Sequence, residues 1–356
     1  MSPTETFAQV AQLMRDGQAL ESRPSPESLP AALRHYEQAI ALLRTLPVSQ
    51  PEVRHQLALA AMNRGNALQR QNTAETVDRA IQAYDEAIAF FRTLPLDTSP
   101  DVRNSLGAVW MNRGHAFHLK NDAAALVESV RCQQEAIAIL GTLPLDSHPS
   151  FRLNLAAAWM NQANALLAIE EDDRAAEAAR EAIVLAAPGE RQHPALADVA
   201  LKARRARCEA IGRLLYRSSR RNEPTDSLAD EASDLVDDGL AVARHWEAQG
   251  VPHFRATATR LYAFGAQLYR LHLPDFLAEF LLEHLDPEQS SGAMSGSPDL
   301  HFIASDTLTQ AKLDLESRQQ IFLDTPQTAR LLDRLRTFRD ADIRLAALRA
   351  RFLPQT

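Results

Sequence analysis

The chain repeats the same short segments at a spacing of 48 to 49 residues, and this repeat limits its fold more than any other feature. One segment occurs as EQAIALLRTLP (37–47), DEAIAFFRTLP (85–95) and QEAIAILGTLP (134–144). A Met-Asn pair returns at one phase, as Met62-Asn63, Met111-Asn112 and Met160-Asn161. Because a single repeat unit cannot bury its own apolar face, a chain of this kind must stack its units against one another.

Each repeat unit is predicted to form two helices. The first helix begins at a proline that precedes the asparagine by twelve residues: Pro51, Pro100 and Pro149. Proline suits the first turn of a helix, and in the second copy Ser99 is expected to cap that helix. In the second helix, apolar residues recur at three- and four-residue steps between Ala80 and Phe91. This spacing places them on one face, which is typical of an amphipathic helix.

Fainter copies extend the repeat towards both ends of the chain. MRDGQAL (14–20) aligns with MNRGNAL (62–68), and later units begin at Pro194 and Pro252. We expect an all-α domain of about six helical hairpins over residues 1–289. A flexible Gly/Ser linker is predicted at 290–299 and capping or partner-binding helices at 300–356. An apolar stripe in the last of these helices would allow a homodimer as well as a monomer.

Composition favours a soluble cytoplasmic protein. Apolar residues make up 46% of the chain and charged residues 24%, which is ordinary for a folded soluble domain. The two cysteines, Cys132 and Cys208, are too few for a disulfide framework. The first residues contain no secretory signal, and no segment approaches the roughly 20 apolar residues that span a membrane.

These segments resemble tetratricopeptide repeats. That family places an aromatic residue, an asparagine and a small residue along the first helix, and Trp110, Asn112 and Gly114 follow this order. It places two small residues on the second helix, which here are Ala32 and Ala39, Ala80 and Ala87, Ser129 and Ala136, and Ala175 and Ala182. The resemblance covers roughly residues 5–285 and implies a right-handed α-solenoid. It departs from the family's period of about 34 residues.

A second departure follows the asparagine. The family has leucine there, whereas this chain has Arg64, Arg113 or Gln162.

The repeated asparagine is the most informative functional candidate. Asparagine is a mediocre helix former, and its amide carries both hydrogen-bond donors and an acceptor. The resemblance implies that it faces a concave groove and bonds the backbone of an extended peptide; the alternative is a structural bond to a neighbouring helix. The candidate groove residues are Met62, Asn63, Asn66, Met111, Asn112, His115, His118, Met160, Asn161 and Asn164.

Positive charge is densest in residues 202–221, KARRARCEAIGRLLYRSSRR. Its candidate binding residues are Arg204, Arg205, Arg207, Arg217, Arg220 and Arg221. An acidic run follows between 223 and 238, so either neighbouring helices neutralise each other or the segment binds an acidic partner or nucleic acid. The net charge of −8 makes general nucleic-acid binding unlikely.

The expected function is a scaffold or adaptor that binds a protein or peptide, without catalysis. The chain contains no Walker loop, no Gly-x-Ser-x-Gly and no His-Glu-x-x-His. His115 and His118 are three residues apart, but no third ligand accompanies them, and catalytic zinc sites use three protein ligands. We therefore expect no cofactor and no metal. The alternative is a regulatory sensor whose groove takes a small peptide or metabolite.

Overall fold

The computed structural model describes residues 2–272, except for 24, 26 and 147, and single residues between 277 and 310. Every regular element in these ranges is helical, which confirms the prediction of an all-α chain. The predicted linker at 290–299, apart from Asp299, lies outside the described residues. The chain beyond 310, with the predicted dimer surface, also lies outside them.

The chain divides into two compact units, Met1–Glu171 and Asp172–Thr356. The boundary falls inside the domain predicted over 1–289. The first unit contains α1 (Pro3–Glu21), α2 (Ser28–Leu43), α3 (Pro51–Gln71), α4 (Ala74–Phe91), α5 (Pro100–Lys120), α6 (Ala123–Leu140) and α7 (Pro149–Ala168). The second contains α8 (Asp172–Ala186), α9 (Pro194–Arg220), α10 (Asp226–Ala248) and α11 (Arg255–His272), with 3-10 helices at Ala187–Gly189 and Pro252–Phe254.

In the first unit, helices pack as consecutive hairpins. Helix α1 packs along α2, α3 along α4, and α5 along α6, and each second helix also contacts the first helix of the next pair. The first helices, α1, α3, α5 and α7, form one series, in which α3 contacts α5 and α5 contacts α7. The second helices, α2, α4 and α6, form the other. This order is the one that the repeat predicts.

Local sequence determines where these helices begin and end. The predicted proline starts of α3, α5 and α7 are confirmed, but the side chain of Ser99 forms no capping hydrogen bond. Asn72 and Asn121 end α3 and α5 in the left-handed conformation, with φ of 52° and 54°. Thr73 and Asp122 then cap α4 and α6 by accepting a backbone N–H three residues on. Such short turns force the two helices of a hairpin to run antiparallel.

The small residues of the second helices lie in the core. The eight alanine and serine positions named from the repeat are all at most 1% exposed. Small side chains allow two helix backbones to approach closely, and close packing contributes most of the stability of short helices.

A glycine in α1 and another in α3 allow a close approach of the second helix. A Cβ atom added at Gly17 would lie 2.5 Å from Tyr36 Cε1, and one added at Gly65 would lie 2.5 Å from Tyr84 Cε1. Both tyrosines are fully buried. Their rings therefore lie directly against the backbone of the first helix, where no larger residue fits.

The second unit has its own apolar core. Helix α9 packs on α8, α10 and α11, and α10 packs on α11. The large residues of this core include Leu201, Val236, Leu240, Trp246, Leu261, Tyr262 and Phe280. Leu300 and Ala304 belong to the same cluster, so the start of the predicted C-terminal segment contributes to this core.

The substitution Gly65→Ala is expected to lower the free energy of unfolding by about 1–3 kcal/mol, because the new methyl group overpacks the Tyr84 ring. Urea denaturation of the full-length chain measures this change. In a Tyr84→Ala background the same substitution is expected to be neutral or to stabilise by up to ~1 kcal/mol, the helix-propensity gain. Equal destabilisation in both backgrounds would show that the ring is not the obstacle.

Candidate functional site

The buried tyrosines of the second helices place their hydroxyl groups at polar residues of the first helices. Tyr36 Oη donates to Glu21 Oε1 at 2.5 Å. Tyr84 Oη lies 2.9 Å from Gln69 Oε1 and 2.9 Å from Asn66 Oδ1. Burial raises the pKa of both tyrosines above the usual range, so the hydroxyl groups remain protonated. Each hydroxyl thus fixes the orientation of a polar side chain on its first helix.

Two pairs of asparagines join successive first helices. Asn112 Nδ2 donates to Asn66 Oδ1 at 3.0 Å, which links α5 to α3. Asn154 Nδ2 donates to Asn104 Oδ1 at 2.9 Å, which links α7 to α5. All four side chains are half-buried. Asn66 also accepts from the Tyr84 hydroxyl group.

These asparagine pairs leave part of their hydrogen-bonding capacity open. An amide–amide bond uses one N–H of one asparagine and the carbonyl oxygen of the other. The remaining NH₂ group of Asn66 and the carbonyl oxygen of Asn112 make no other hydrogen bond within the described part of the chain. The same holds for the NH₂ group of Asn104 and the carbonyl oxygen of Asn154. Each pair therefore keeps an unbonded NH₂ group on one asparagine and an unbonded carbonyl oxygen on the other.

Asn104 and Asn154 were missed in the sequence analysis. They lie 50 residues apart, close to the repeat spacing, and near the start of their helices. Because Asn104 lies four residues after Pro100 and Asn154 lies five after Pro149, a search at the spacing of 48 to 49 residues would not have aligned them.

The three asparagines predicted to form a ladder are not equivalent. Asn63 is only 7% exposed, whereas Asn112 and Asn161 are half-buried. The expectation of three open side chains is therefore wrong for Asn63.

Among the other predicted groove residues, Met62 and Met111 are half-buried and Met160 is 9% exposed. Asn164 Nδ2 lies 3.1 Å from Met160 Sδ. Met160 is therefore less exposed than its counterparts in α3 and α5.

The two histidines of α5 occupy different environments. His115 is exposed, and its Nδ1 lies 2.6 Å from Gln69 Nε2. His118 is half-buried, and its Nδ1 has no hydrogen-bond partner. Burial lowers the pKa of His118, so its ring is neutral near pH 7. Among the described residues, no three histidine, cysteine or acidic side chains come together in a way that could hold a metal ion.

The arginines that follow the repeated asparagines in α3 and α5 form ion pairs with α4. Arg64 bonds Glu86 at 2.8 Å, and Arg113 bonds Asp85 at 2.8 Å. The guanidinium carbon of Arg113 also lies 5.3 Å from the centre of the Trp110 ring. These ion pairs link α4 to α3 and to α5.

The basic segment is less open than its sequence predicts. Arg204 is 3% exposed and forms a two-pronged ion pair with Glu190, with N–O distances of 2.6 and 3.1 Å. Arg204 therefore does not belong to an exposed binding surface. Arg207 bonds Glu231 of α10 at 2.5 Å, which is the predicted neutralisation between neighbouring helices.

The remaining arginines of the segment have other partners. Arg205 bonds Glu209 within α9 at 3.3 Å, and Arg217 bonds Asp172 of α8. Arg220 and Arg221, at the end of α9, are exposed. The sequence could not show this division, because three of the partner carboxylates, Glu190, Glu231 and Asp172, lie outside α9.

Comparisons with known proteins do not assign the chain to a family. No protein-family model matches the chain, and no curated protein sequence matches it either. Within the described residues, no helix combines the length and apolar character needed to cross a membrane.

Removing the buried guanidinium with Arg204→Ala is expected to cost about 3–5 kcal/mol of stability, because the Glu190 carboxylate stays buried without its partner. Thermal and urea denaturation measure the loss. The double variant Arg204→Met, Glu190→Gln should lose much less, since no charge remains uncompensated. Arg220→Ala, at an exposed arginine of the same helix, is the control and should melt like the natural chain. An Arg204→Ala variant as stable as this control would refute a structural role for the ion pair.

Proposed function

We propose that the chain is a right-handed α-solenoid related to tetratricopeptide repeats, and that it acts as a scaffold or adaptor without catalysis, cofactor or metal. Its ligand is an extended peptide segment of a partner protein, held on the face of the first helices. The observation that carries this proposal is the pair of asparagine–asparagine hydrogen bonds, Asn66–Asn112 and Asn104–Asn154.

The open groups of each asparagine pair are complementary to a peptide bond. A peptide unit offers one N–H donor and one carbonyl acceptor. The asparagine carbonyl oxygen can accept the ligand N–H, while the neighbouring NH₂ group donates to a ligand carbonyl oxygen. Because these contacts involve only the ligand backbone, they are independent of the ligand side chains. A row of such pairs suits an extended chain, whose backbone groups are not bonded to one another.

The surroundings of the pairs support a peptide rather than a charged small molecule. Glu21, which accepts from the Tyr36 hydroxyl group, also forms an ion pair with Arg70 at 3.5 Å. Met62 and Met111 flank the asparagines, and methionine adapts its shape to varied apolar side chains. The face thus combines backbone-directed polar groups with adaptable apolar contacts.

The state of the cysteines supports a cytoplasmic location as part of this proposal. Cys132 and Cys208 are both free and buried. Burial raises the pKa of Cys208 to about 12, so its thiol stays protonated. Unpaired, unreactive cysteines are ordinary in a reducing compartment.

A peptide selected from a random library against the full-length chain tests the backbone contacts. Each backbone N–H of the selected peptide is replaced in turn by N–CH₃, and affinity is measured by calorimetry. Loss of one hydrogen bond is expected to weaken binding roughly two- to twelve-fold, which corresponds to about 0.5–1.5 kcal/mol. Affinity should change little at high salt, since neutral amides make the contacts.

Variants of the protein identify the groups that receive the peptide. Asn112→Ala and Asn154→Ala should each weaken binding within the same range, and Gln82→Ala, an exposed amide on α4, is the matched control. N-methylation without effect, or equal losses from Gln82→Ala, would contradict binding through the asparagine pairs.

A further inference from the structure

A second exposed surface lies in the other unit, at the C-terminal end of α9. It consists of Tyr216, Arg217, Arg220 and Arg221, and we call it the α9 tip. Tyr216 is 64% exposed, more than any other large apolar side chain in the described part of the chain. The three- and four-residue spacing of 213, 216, 217 and 220 places these side chains on one face of the helix.

The α9 tip carries positive charge that the described residues neutralise only in part. Arg217 bonds the carboxylate of Asp172, whose side chain is 5% exposed, and Arg213 bonds both Asp172 and Glu209. Arg220 and Arg221 bond no carboxylate of the described residues. The nearest acid along the chain, Glu223, accepts a hydrogen bond from Ser218 Oγ at 3.1 Å. A local cationic surface thus remains on a chain whose net charge is −8.

The aromatic ring and one of the open cations are held together. The guanidinium carbon of Arg220 lies 5.8 Å from the centre of the Tyr216 ring, and Arg220 Nη1 donates to Tyr216 Oη at 3.3 Å. Cations near the C-terminal end of a helix stabilise that helix, and this effect explains why arginines are found there. The helix end does not account for an exposed tyrosine, whose ring would be covered more favourably by a partner.

We propose that the α9 tip binds an acidic segment of a partner protein, separately from the peptide held by the first helices. Guanidinium groups form strong two-pronged hydrogen bonds with carboxylates, and the exposed face of Tyr216 can cover an apolar side chain next to the acids. Tyrosine and arginine are also the residues that most often dominate binding energy at protein interfaces.

The number of open cations favours a protein over a nucleic acid. Tight, sequence-independent binding to nucleic acid relies on many phosphate contacts, typically about six to ten. Within the described part of the chain, two arginines of the α9 tip have no carboxylate partner, and the net negative charge of the chain repels a long polyanion. A short cluster of aspartate and glutamate residues matches the size and charge of the surface.

Fluorescence anisotropy with the full-length chain and three labelled probes tests this inference. The probes are a short peptide of aspartate and glutamate residues around one phenylalanine, the same peptide with asparagine and glutamine replacing the acids, and a single-stranded DNA oligonucleotide of similar length. The acidic peptide should bind about ten-fold more tightly than the amide peptide, and added salt should weaken this binding because the contacts are charged.

Three variants show where on the protein the acidic peptide binds. The double variant Arg220→Gln, Arg221→Gln and the single variant Tyr216→Ala should each weaken the acidic peptide about ten-fold without changing the melting temperature. Arg131→Gln is the control, because Arg131 is an exposed arginine of the first unit whose ion pair with Glu128 spans 3.6 Å. Equal affinity for both peptides, or an equal loss in the control, would overturn the proposal. So would DNA that binds more tightly than the acidic peptide and is released by the same variants.

Discussion

The contact between a glycine of the first helix and a tyrosine of the second is the interaction on which the first unit most depends. At Gly17 and Gly65 the absence of a Cβ atom lets Tyr36 and Tyr84 lie against the neighbouring backbone. The ring fills the core of the hairpin, while its hydroxyl group reaches a polar residue four positions after the glycine, Glu21 or Gln69. The same tyrosine side chains therefore fill the core of the hairpin and orient polar groups on the first helix.

The third hairpin shows what happens when the tyrosine is replaced. Gln133 stands opposite Gly114, where it donates to the backbone carbonyl oxygen of Met111 at 3.0 Å. It brings no hydroxyl group to His118, which lies four residues after the glycine, and His118 Nδ1 has no partner. Towards α7 the face relies on Asn104 and Asn154 instead. The repeat thus conserves helix packing while its polar surface changes from one unit to the next.

The sequence predicted those features that depend on nearby residues. Proline starts, apolar spacing and small residues on the second helices act within one hairpin, so the repeat alone predicts the helices and the buried alanines. Asn63 and Arg204 were placed on open surfaces, yet both are buried, because their exposure depends on elements distant in the sequence. Glu190, which neutralises Arg204, follows the 3-10 helix at Ala187–Gly189, and no repeat pattern indicates that turn. The asparagine pairs likewise exist only once successive first helices lie side by side.

Whether the asparagine pairs receive a ligand backbone is tested most directly by the side-chain amide signals of the full-length chain labelled with nitrogen-15 at asparagine. The signals are followed while a peptide selected for binding is added. The NH₂ signals of Asn66 and Asn104 should shift as the peptide saturates the chain, because a new acceptor approaches each of these groups. Those of Asn72 and Asn121, which end helices, should stay unchanged. Saturation without a shift at Asn66 and Asn104 would show that the peptide binds elsewhere and would contradict the proposed role of the pairs.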